Sequence, residues 1–178
     1  LGDVYKRQLV AGKGKYSKIT WDEKQTQLAF VSTDRVYHWD RRPNAARAIV
    51  SATTAGLGAG MTISERGTLF FARDGSRLFF STALDRAKPA AEAGEKVNYD
   101  LWHWKDDVVQ PMQRVRATQD RNRSYRAVFH IADAKVVQLG DLTLQDAVPN
   151  ENGLFAIGSD DRAYRGMVEY DSRYTDQY

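Results

Sequence analysis

The sequence predicts an all-β fold, and two observations support this. Short apolar runs of three to five residues are separated by turn signals along most of the 178 residues, as in small antiparallel sheets. Leu69–Phe71 and Leu78–Phe80 flank Asp74-Gly75, a strong hairpin signal because glycine takes positive φ without steric cost. Because similar units recur, we expect a partial β-propeller of about three four-stranded antiparallel blades with one short helical insertion.

The first predicted blade covers residues 16–55. Its four strands are separated by polar or proline-containing turns, and they are Ile19–Trp21, Leu28–Ser32, Val36–Trp39 and Ala48–Val50. The glycine-rich residues 56–60 follow. No Lys-Ser/Thr pair closes this stretch, so a connection between blades is favoured over a phosphate-binding loop.

The second predicted blade covers residues 61–140 and contains the Asp74-Gly75 hairpin. Neither flanking run alternates with polar residues, so we expect the hairpin to be buried on both faces. The pattern of residues 97–104 also predicts a strand, with Tyr99 and His103 on one face and Trp102 and Trp104 on the other.

The helical insertion is predicted at residues 108–123. Pro111 suits the first turn of a helix, where its missing N–H is not needed. Val108, Met112 and Val115 follow at i, i+4 and i+7 and form a narrow apolar stripe. On a propeller, this helix would lie at the rim.

The third predicted blade, residues 144–178, is incomplete. Two landmarks support a repeat, because Leu78 and Leu154, and likewise Asp100 and Asp176, are separated by 76 residues. An incomplete propeller leaves its terminal sheets with an uncovered face. We therefore expect the chain to be marginally stable or to self-associate.

Composition narrows the function classes. The net charge is only +3, which gives no general signal for nucleic acid. There is no cysteine, which excludes disulfides and thiolate metal sites. No apolar stretch approaches the length of a membrane span. Residues 1–8 resemble translated adapter sequence, so we expect them to be non-native, with 9–178 as the propeller part of a chain cut at both ends.

Catalytic chemistry is not predicted from these residues. The Gly-x-Ser-x-Gly nucleophile motif is absent. The histidines lie beside aromatic or aliphatic residues and are interpreted as structural; they are His38, His103 and His130. The tryptophans are interpreted as blade packing; they are Trp21, Trp39, Trp102 and Trp104. No metal-ligand spacing appears, and we expect no metal and no cofactor.

A basic stretch lies in the insertion. Five arginines and one aspartate between residues 110 and 126 give a local charge of +4. With Tyr125 and Phe129 nearby, RNA binding is one interpretation. A solvated helix face, or one that pairs with acidic groups of another domain, is favoured, so we expect no nucleic acid partner.

A family resemblance appears in two places. Residues 71–80 resemble the Asp-Gly hairpin signature of propeller repeats in serine peptidases of the prolyl oligopeptidase family. More specifically, residues 100–106, 110–113 and 121–125 look like the N-terminal propeller of a bacterial, often secreted, branch of that family. The resemblance covers about residues 16–178.

The resemblance implies a function for the parent protein. In this family a propeller covers a C-terminal α/β-hydrolase domain, restricts access and helps bind peptide substrate. This chain would be the substrate-gating segment of a secreted or periplasmic serine peptidase and would not be catalytic by itself. Arg114, Arg121 or Arg162 would then hold a substrate carboxylate. The alternative is a stand-alone propeller that binds a protein or carbohydrate partner.

Overall fold

A computed structural model describes residues 8–85, 103–168 and 171–178, in which antiparallel sheets dominate. Three sheets follow one another along the chain, and we name them sheets A, B and C. Sheet A pairs its strands in sequence order. The strands of sheet A are β1 (Tyr16–Trp21), β2 (Leu28–Ser32), β3 (Arg35–Trp39) and β4 (Arg47–Ser51).

Sheet B is larger and carries the helix between its strands. Its order is β5-β7-β8-β9, with β6 also paired to β7. These strands are β5 (Met61–Ile63), β6 (Phe70–Phe71), β7 (Arg77–Leu84), β8 (Tyr125–His130) and β9 (Lys135–Gln138). Helix α1 (Gln110–Arg121) lies between β7 and β8 in the chain, with Pro111 in its first turn. The predicted insertion therefore contains a helix.

Sheet C has three strands. They are β10 (Asp146–Pro149), β11 (Ala156–Asp160) and β12 (Asp176–Gln177), in that spatial order. A 3-10 helix, Arg162–Met167, follows β11. Among the described residues, no helix is long and apolar enough to cross a membrane.

Strand β7 is buried on both faces, as its apolar sequence predicts. Leu78 and Phe80 pack in the core shared with sheet A, which includes Val31 and Val36. Phe79 points to the opposite face and packs with Ala72 and Val128. Sheet C covers this second face, because a Cβ on Gly153 would overlap the Phe79 ring. The three sheets thus stack face to face in chain order, the arrangement of successive propeller blades.

One six-residue turn occurs in all three sheets, at residues 22–27, 72–77 and 150–155. In each, the first residue's N–H donates to the sixth residue's carbonyl oxygen, and the fourth residue's N–H donates to the first residue's carbonyl oxygen. The fourth residue has positive φ in every case: 54° at Gln25, 73° at Gly75 and 66° at Gly153. These turns identify equivalent positions in the three sheets.

The turns correct the repeat spacing expected from the sequence. Residue 72 is equivalent to residue 150, so the offset between sheets B and C is 78 and not 76. Leu154 therefore lies in the turn, and Ala156 in β11 is the structural counterpart of Leu78. The second landmark pair cannot be compared, because Asp100 lies outside the described residues.

Arg73 connects the three turns along one rim. Its backbone N–H donates to the Glu151 carbonyl oxygen at 2.9 Å. Its guanidinium lies 3.0 Å from the Glu151 carboxylate and 3.5 Å from that of Glu23. All three side chains are exposed, so these ion pairs add little stability and mainly mark the common register of the turns.

Two predictions about the aromatic residues are wrong. Trp104 is 86% exposed and Trp21 is also exposed, so neither is buried by blade packing; Trp39 is buried, and Trp102 lies outside the described residues. His103 and Trp104 are not in a strand; the rest of that predicted strand lies outside the described residues. Helix α1 buries no residue, and Val115 is 76% exposed, because its stripe is too narrow to cover a sheet.

Candidate functional site

Helix α1 borders two clefts on the surface. The smaller, which we call the arginine cleft, has a volume of about 380 Å³. Its charged lining comes from sheets A and B and from the C-terminal end of α1, and consists of Lys15, Glu65, Arg66, Asp85, Arg121 and Arg123. Four cations against two carboxylates give the cleft a positive balance.

Three of these cations already have structural partners, and the third, Arg123, pairs with Asp120. Lys15 Nζ lies 2.6 Å from the Glu65 carboxylate. Arg66 Nη1 donates to the carbonyl oxygen of Arg121 at 3.0 Å. A cation at this position satisfies a free carbonyl and complements the negative end of the helix dipole. Arg121 is the cation of the cleft best placed to meet an added anion, since it is exposed and forms no ion pair within the described ranges.

The larger cleft lies between α1 and sheet C, and we call it the helix–sheet groove. Its volume is about 1280 Å³, more than most small-molecule pockets. Met112, Arg116 and Gln119 line its helix side, and their spacing places them on one helix face. The opposite wall includes Ser159, Asp160 and Asp161 of sheet C and the loop after it.

The groove has a polar junction at Gln145. The Oε1 atom of Gln145 accepts hydrogen bonds from Arg123 Nη1 and from Arg165 Nη2. Arg123 also lies 3.0 Å from Asp120, and Arg165 lies 2.7 Å from Asp161. Two guanidinium groups, one after α1 and one in the 3-10 helix, therefore converge on one amide oxygen. This junction connects the helix to sheet C through polar contacts.

Asp160 and Arg162 form a close ion pair at the end of sheet C. Arg162 Nε and Nη2 donate to the Asp160 carboxylate at 2.9 and 2.6 Å. Hydrogen bonds from Arg162 lower the pKa of Asp160 to about 2, and the same pair raises the pKa of Arg162. Because its donors already bind a carboxylate, Arg162 would have to release Asp160 before it could bind a ligand.

The structure does not bring the three expected arginines together. Arg114 lies exposed on α1, Arg121 lines the arginine cleft, and Arg162 is paired beside sheet C. The groove instead collects other arginines, namely Arg116, Arg123, Arg165 and Arg173. Arg116 and Arg123 lie in the basic stretch noted in the sequence. Arg165 and Arg173 carry no local signal, because only tertiary packing brings them to the groove.

The histidines have different environments. His38 is 2% exposed, and its Nε2 lies 2.8 Å from Gln27 Oε1. Gln27 Nε2 in turn donates to the Gly75 carbonyl oxygen at 3.0 Å, which joins sheet A to the turn of sheet B. Burial is the largest cause that lowers the pKa of His38, and the positive charge of the nearby Arg47 lowers this pKa further. Because the Gln27 amide oxygen can only accept, His38 donates its Nε2 proton in this hydrogen bond.

The other two histidines lie in a strand and in an irregular segment. His130 lies in β8 opposite Lys135, and His103 is exposed in an irregular segment. Within the described ranges, no group of three or more His, Cys, Asp or Glu side chains could hold a metal ion. What the two clefts offer is recognition by charge and hydrogen bonding.

Comparisons with known proteins add one distant structural likeness. No family model matches the chain, and no curated protein matches it. Among solved structures, TolB from Acinetobacter baumannii aligns with a TM-score of 0.44 and 13% identity. The alignment covers 96% of this chain and 31% of the TolB chain. We draw no structural conclusion from a TM-score this low. The propeller-type stacking described above rests on the sheets themselves.

Proposed function

We propose that this chain is a non-catalytic, peptide-binding segment of a β-propeller. As the sequence resemblance implies, it would gate access to a C-terminal α/β-hydrolase domain of the same parent chain, a serine peptidase of the prolyl oligopeptidase type in the periplasm or outside the cell. The observation that carries the proposal is the helix–sheet groove, which is lined by charges of both signs.

The groove suits a short extended peptide. Along α1, Met112 and Asp120 are eight residue steps apart, about 12 Å at the rise of an α-helix. An extended peptide rises about 3.3 Å per residue, so about four residues fit along this wall. A peptide with free ends carries one charge of each sign. The groove offers unpaired cations at Arg116 and Arg173 and unpaired carboxylates at Asp106 and Asp107, within the described ranges.

A gating role fits the way α1 is attached. The helix buries no residue, and its described connections to the sheets are polar and lie at its C-terminal end, through Arg66 and through the Gln145 junction. Elements with few buried apolar contacts open at low free-energy cost. Movement of α1 would widen or narrow the groove without disturbing the core between the sheets.

Peptide binding can be tested by calorimetric titration of the chain with tetrapeptides that have free or amidated C-termini. We expect the free-carboxylate peptides to bind more tightly, and Arg116→Gln to weaken their binding by at least fivefold. Arg35→Gln removes the same charge from an exposed position at the start of β3 and serves as the control. Recognition by the groove is disproved if the free and amidated peptides bind with the same affinity and if Arg116→Gln and Arg35→Gln bind them equally well.

The peptidase setting requires a separate test. The coding DNA downstream of residue 178 should encode a Gly-x-Ser-x-Gly motif followed by Asp and then His. If the frame continues without such residues, the peptidase proposal fails, even if the groove binds peptides. Of the three arginines expected from the sequence, Arg121 remains the candidate for a second carboxylate contact, in the arginine cleft.

The alternative, a stand-alone propeller that binds a carbohydrate or protein, is favoured by one observation. Trp104 is 86% exposed, Lys105 Nζ lies 4.9 Å from its ring centroid, and Asp106 and Asp107 follow directly in the sequence. Exposed aromatic faces and neighbouring carboxylates are suited to sugar rings and their hydroxyl groups. Binding of oligosaccharides that Trp104→Ala abolishes, with no binding of peptides, would select this alternative.

A further inference from the structure

The arginine cleft opens between sheets A and B, at the end of the sheets opposite the six-residue turns. Thr33, in the turn between β2 and β3, lines it from sheet A, and Tyr125, at the start of β8, lines it from sheet B. Its volume of about 380 Å³ is at the lower end of the range for small-molecule sites. Of the described residues, Arg123 alone lines both this cleft and the helix–sheet groove. The cleft is therefore a second site, of a size that suits a small molecule.

Two buried hydroxyl groups of the cleft have hydrogen-bonding capacity that the protein leaves unused. Tyr125 is 3% exposed, and within the described residues its hydroxyl forms no hydrogen bond. Ser64 is 8% exposed, and its Oγ accepts a hydrogen bond from the Arg66 backbone N–H at 3.2 Å. The Ser64 hydroxyl proton has no acceptor in the same part of the chain. Because a buried polar group without a partner costs free energy, both hydroxyls are suited to donate to a ligand.

The strand pattern directs the Tyr125 side chain toward the cleft. Tyr125, Ala127 and Phe129 alternate along β8 and therefore share one face. Ala127 and Phe129 lie in the core shared with sheet A, and Tyr125 continues their row to the point where the cleft begins. In the described part of the chain, the fully enclosed side-chain atoms without a partner are Ser17 Oγ and Gln138 Oε1. The Tyr125 hydroxyl is not among them, so it faces the open space of the cleft.

Two guanidinium groups give the cleft its charge. Lys15 and Arg123 are paired with carboxylates, as described above. Arg66 donates to a backbone carbonyl oxygen, which leaves its charge uncompensated, and Arg121 is exposed without an ion pair in the described ranges. Asp85 is the carboxylate of the lining that no described cation pairs with. Two free cationic charges against one carboxylate leave a balance of one positive charge.

Part of the cleft lining is apolar. Ile63 is 5% exposed, and Ala83 and Leu84 at the end of β7 are half-buried. A ligand that fills the cleft would therefore place an apolar group against β7 while its charged group meets Arg121. Contact with these side chains removes apolar surface from water, which favours an organic anion over an inorganic one.

We propose that the arginine cleft binds a small organic carboxylate. Arg121 supplies the opposite charge, and the hydroxyls of Tyr125 and Ser64 donate hydrogen bonds to the carboxylate oxygens. Hydrogen bonds to an ionised acceptor are about twice as strong as those between neutral groups. The balance of one positive charge matches a singly charged anion, and Asp85 opposes a second negative charge. This goes beyond the proposed function, which gives the cleft no more than a candidate contact at Arg121.

Titration of the ¹⁵N-labelled chain with butyrate and with its uncharged analogue butyramide, at constant ionic strength, tests the proposal. We expect saturable amide shifts at Ser64, Arg121 and Tyr125 with butyrate, with the millimolar Kd of a very small ligand. Butyramide should bind at least fivefold more weakly. Inorganic phosphate should also bind more weakly, because Asp85 opposes its second charge. The proposal is overturned if butyrate gives no saturable shifts, or if butyramide or phosphate binds as tightly as butyrate.

Three variants assign the binding to individual groups. Arg121→Gln should weaken butyrate binding at least fivefold. Tyr125→Phe should weaken it at least twofold without lowering Tm, because the hydroxyl has no partner in the described protein. Asp85→Asn should tighten binding at least twofold, a gain that loss of folding cannot produce. Arg42→Gln removes an exposed arginine near the other end of sheet A and is the control.

The variants also separate this site from the peptide groove. If all three bind butyrate like Arg42→Gln, the cleft is not the binding site and the proposal fails. Arg116 lines the groove and not the cleft, so Arg116→Gln should bind butyrate like the parent chain. Failure of butyrate binding leaves the peptide titration of the groove unaffected, and failure of peptide binding leaves the cleft proposal unaffected.

Discussion

Replacing Gln27 by leucine tests how sheets A and B are held together. The Gln27 side chain accepts a hydrogen bond from His38 Nε2 at 2.8 Å and donates one to the Gly75 carbonyl oxygen at 3.0 Å. His38 and Gly75 are both buried, so neither group reaches bulk water when Gln27 is lost. Leucine keeps most of the volume and removes both hydrogen bonds.

The expected loss follows from the two groups left without partners. A buried donor or acceptor without a partner costs about 1–3 kcal/mol, so Gln27→Leu, which leaves two, should lower the free energy of unfolding by roughly 2–6 kcal/mol. For a chain of this size each kcal/mol corresponds to about 2–4 °C in Tm. We therefore expect Tm to fall by about 4–24 °C.

Urea unfolding followed by circular dichroism gives the measurement, and a double-mutant cycle with His38→Phe isolates the contact. Gln27→Leu leaves His38 Nε2 and the Gly75 carbonyl unpaired, and His38→Phe leaves Gln27 Oε1 unpaired, whereas the double variant leaves only the Gly75 carbonyl. The double variant should therefore lose less than the sum of the single losses, by about 1 kcal/mol or more. A loss below about 0.5 kcal/mol for Gln27→Leu, or additive losses in the cycle, would refute the reasoning.

Three further predictions can be checked by thermal or denaturant unfolding. Burial lowers the pKa of His38 below its usual 6.5. The unfolded chain therefore binds more protons below about pH 6.5, so stability should fall with decreasing pH there and stay level above it; His38→Gln should flatten this slope. Gly56→Ala should cost about 2–4 kcal/mol, because φ is +95° and its Cβ would overlap the Val136 carbonyl oxygen. Gly166→Ala, with open space around it, is the control and should be nearly neutral. Gln145→Glu should stabilise the chain by about 0.5–1 kcal/mol at low salt, because two guanidinium groups converge on this side chain, and the gain should vanish at high salt.

The parts of the fold that local chemistry determines were predictable from the sequence. The Asp74-Gly75 turn forms, with φ of +73° at Gly75, and the flanking runs lie in β6 and β7. The continuous apolar pattern of β7 correctly predicts burial on both faces. These features depend on neighbouring residues in the chain, so no tertiary information is needed to infer them.

The sequence correctly predicts that a structural unit repeats, but the predicted spacing between sheets B and C is wrong. Matching Leu78 with Leu154 gave an offset of 76 residues, whereas the turn hydrogen bonds give 78. The error arises because apolar residues in sheet C begin within the turn, at Leu154 and Phe155, before the strand starts. Residue identity is therefore a poorer guide to register than the backbone turn, which a sequence does not show directly.

Burial of aromatic residues and the composition of the groove were the least predictable features. Trp104 is exposed even though tryptophan usually contributes to cores, and residue type alone does not indicate which neighbours a side chain meets. The groove joins α1 to a 3-10 helix more than 40 residues later in the chain. Local charge density identified the arginine-rich helix but could not identify its partners on sheet C.

The most direct test of the peptide-binding account is to map the bound peptide by amide chemical-shift changes in the ¹⁵N-labelled chain. With a tetrapeptide that has a free C-terminus, we predict shifts at Arg116, Gln119, Gln145 and Asp161 on the two walls of the groove, and none in sheet A. Shifts confined to sheet A, or no shifts at millimolar peptide, would contradict the account.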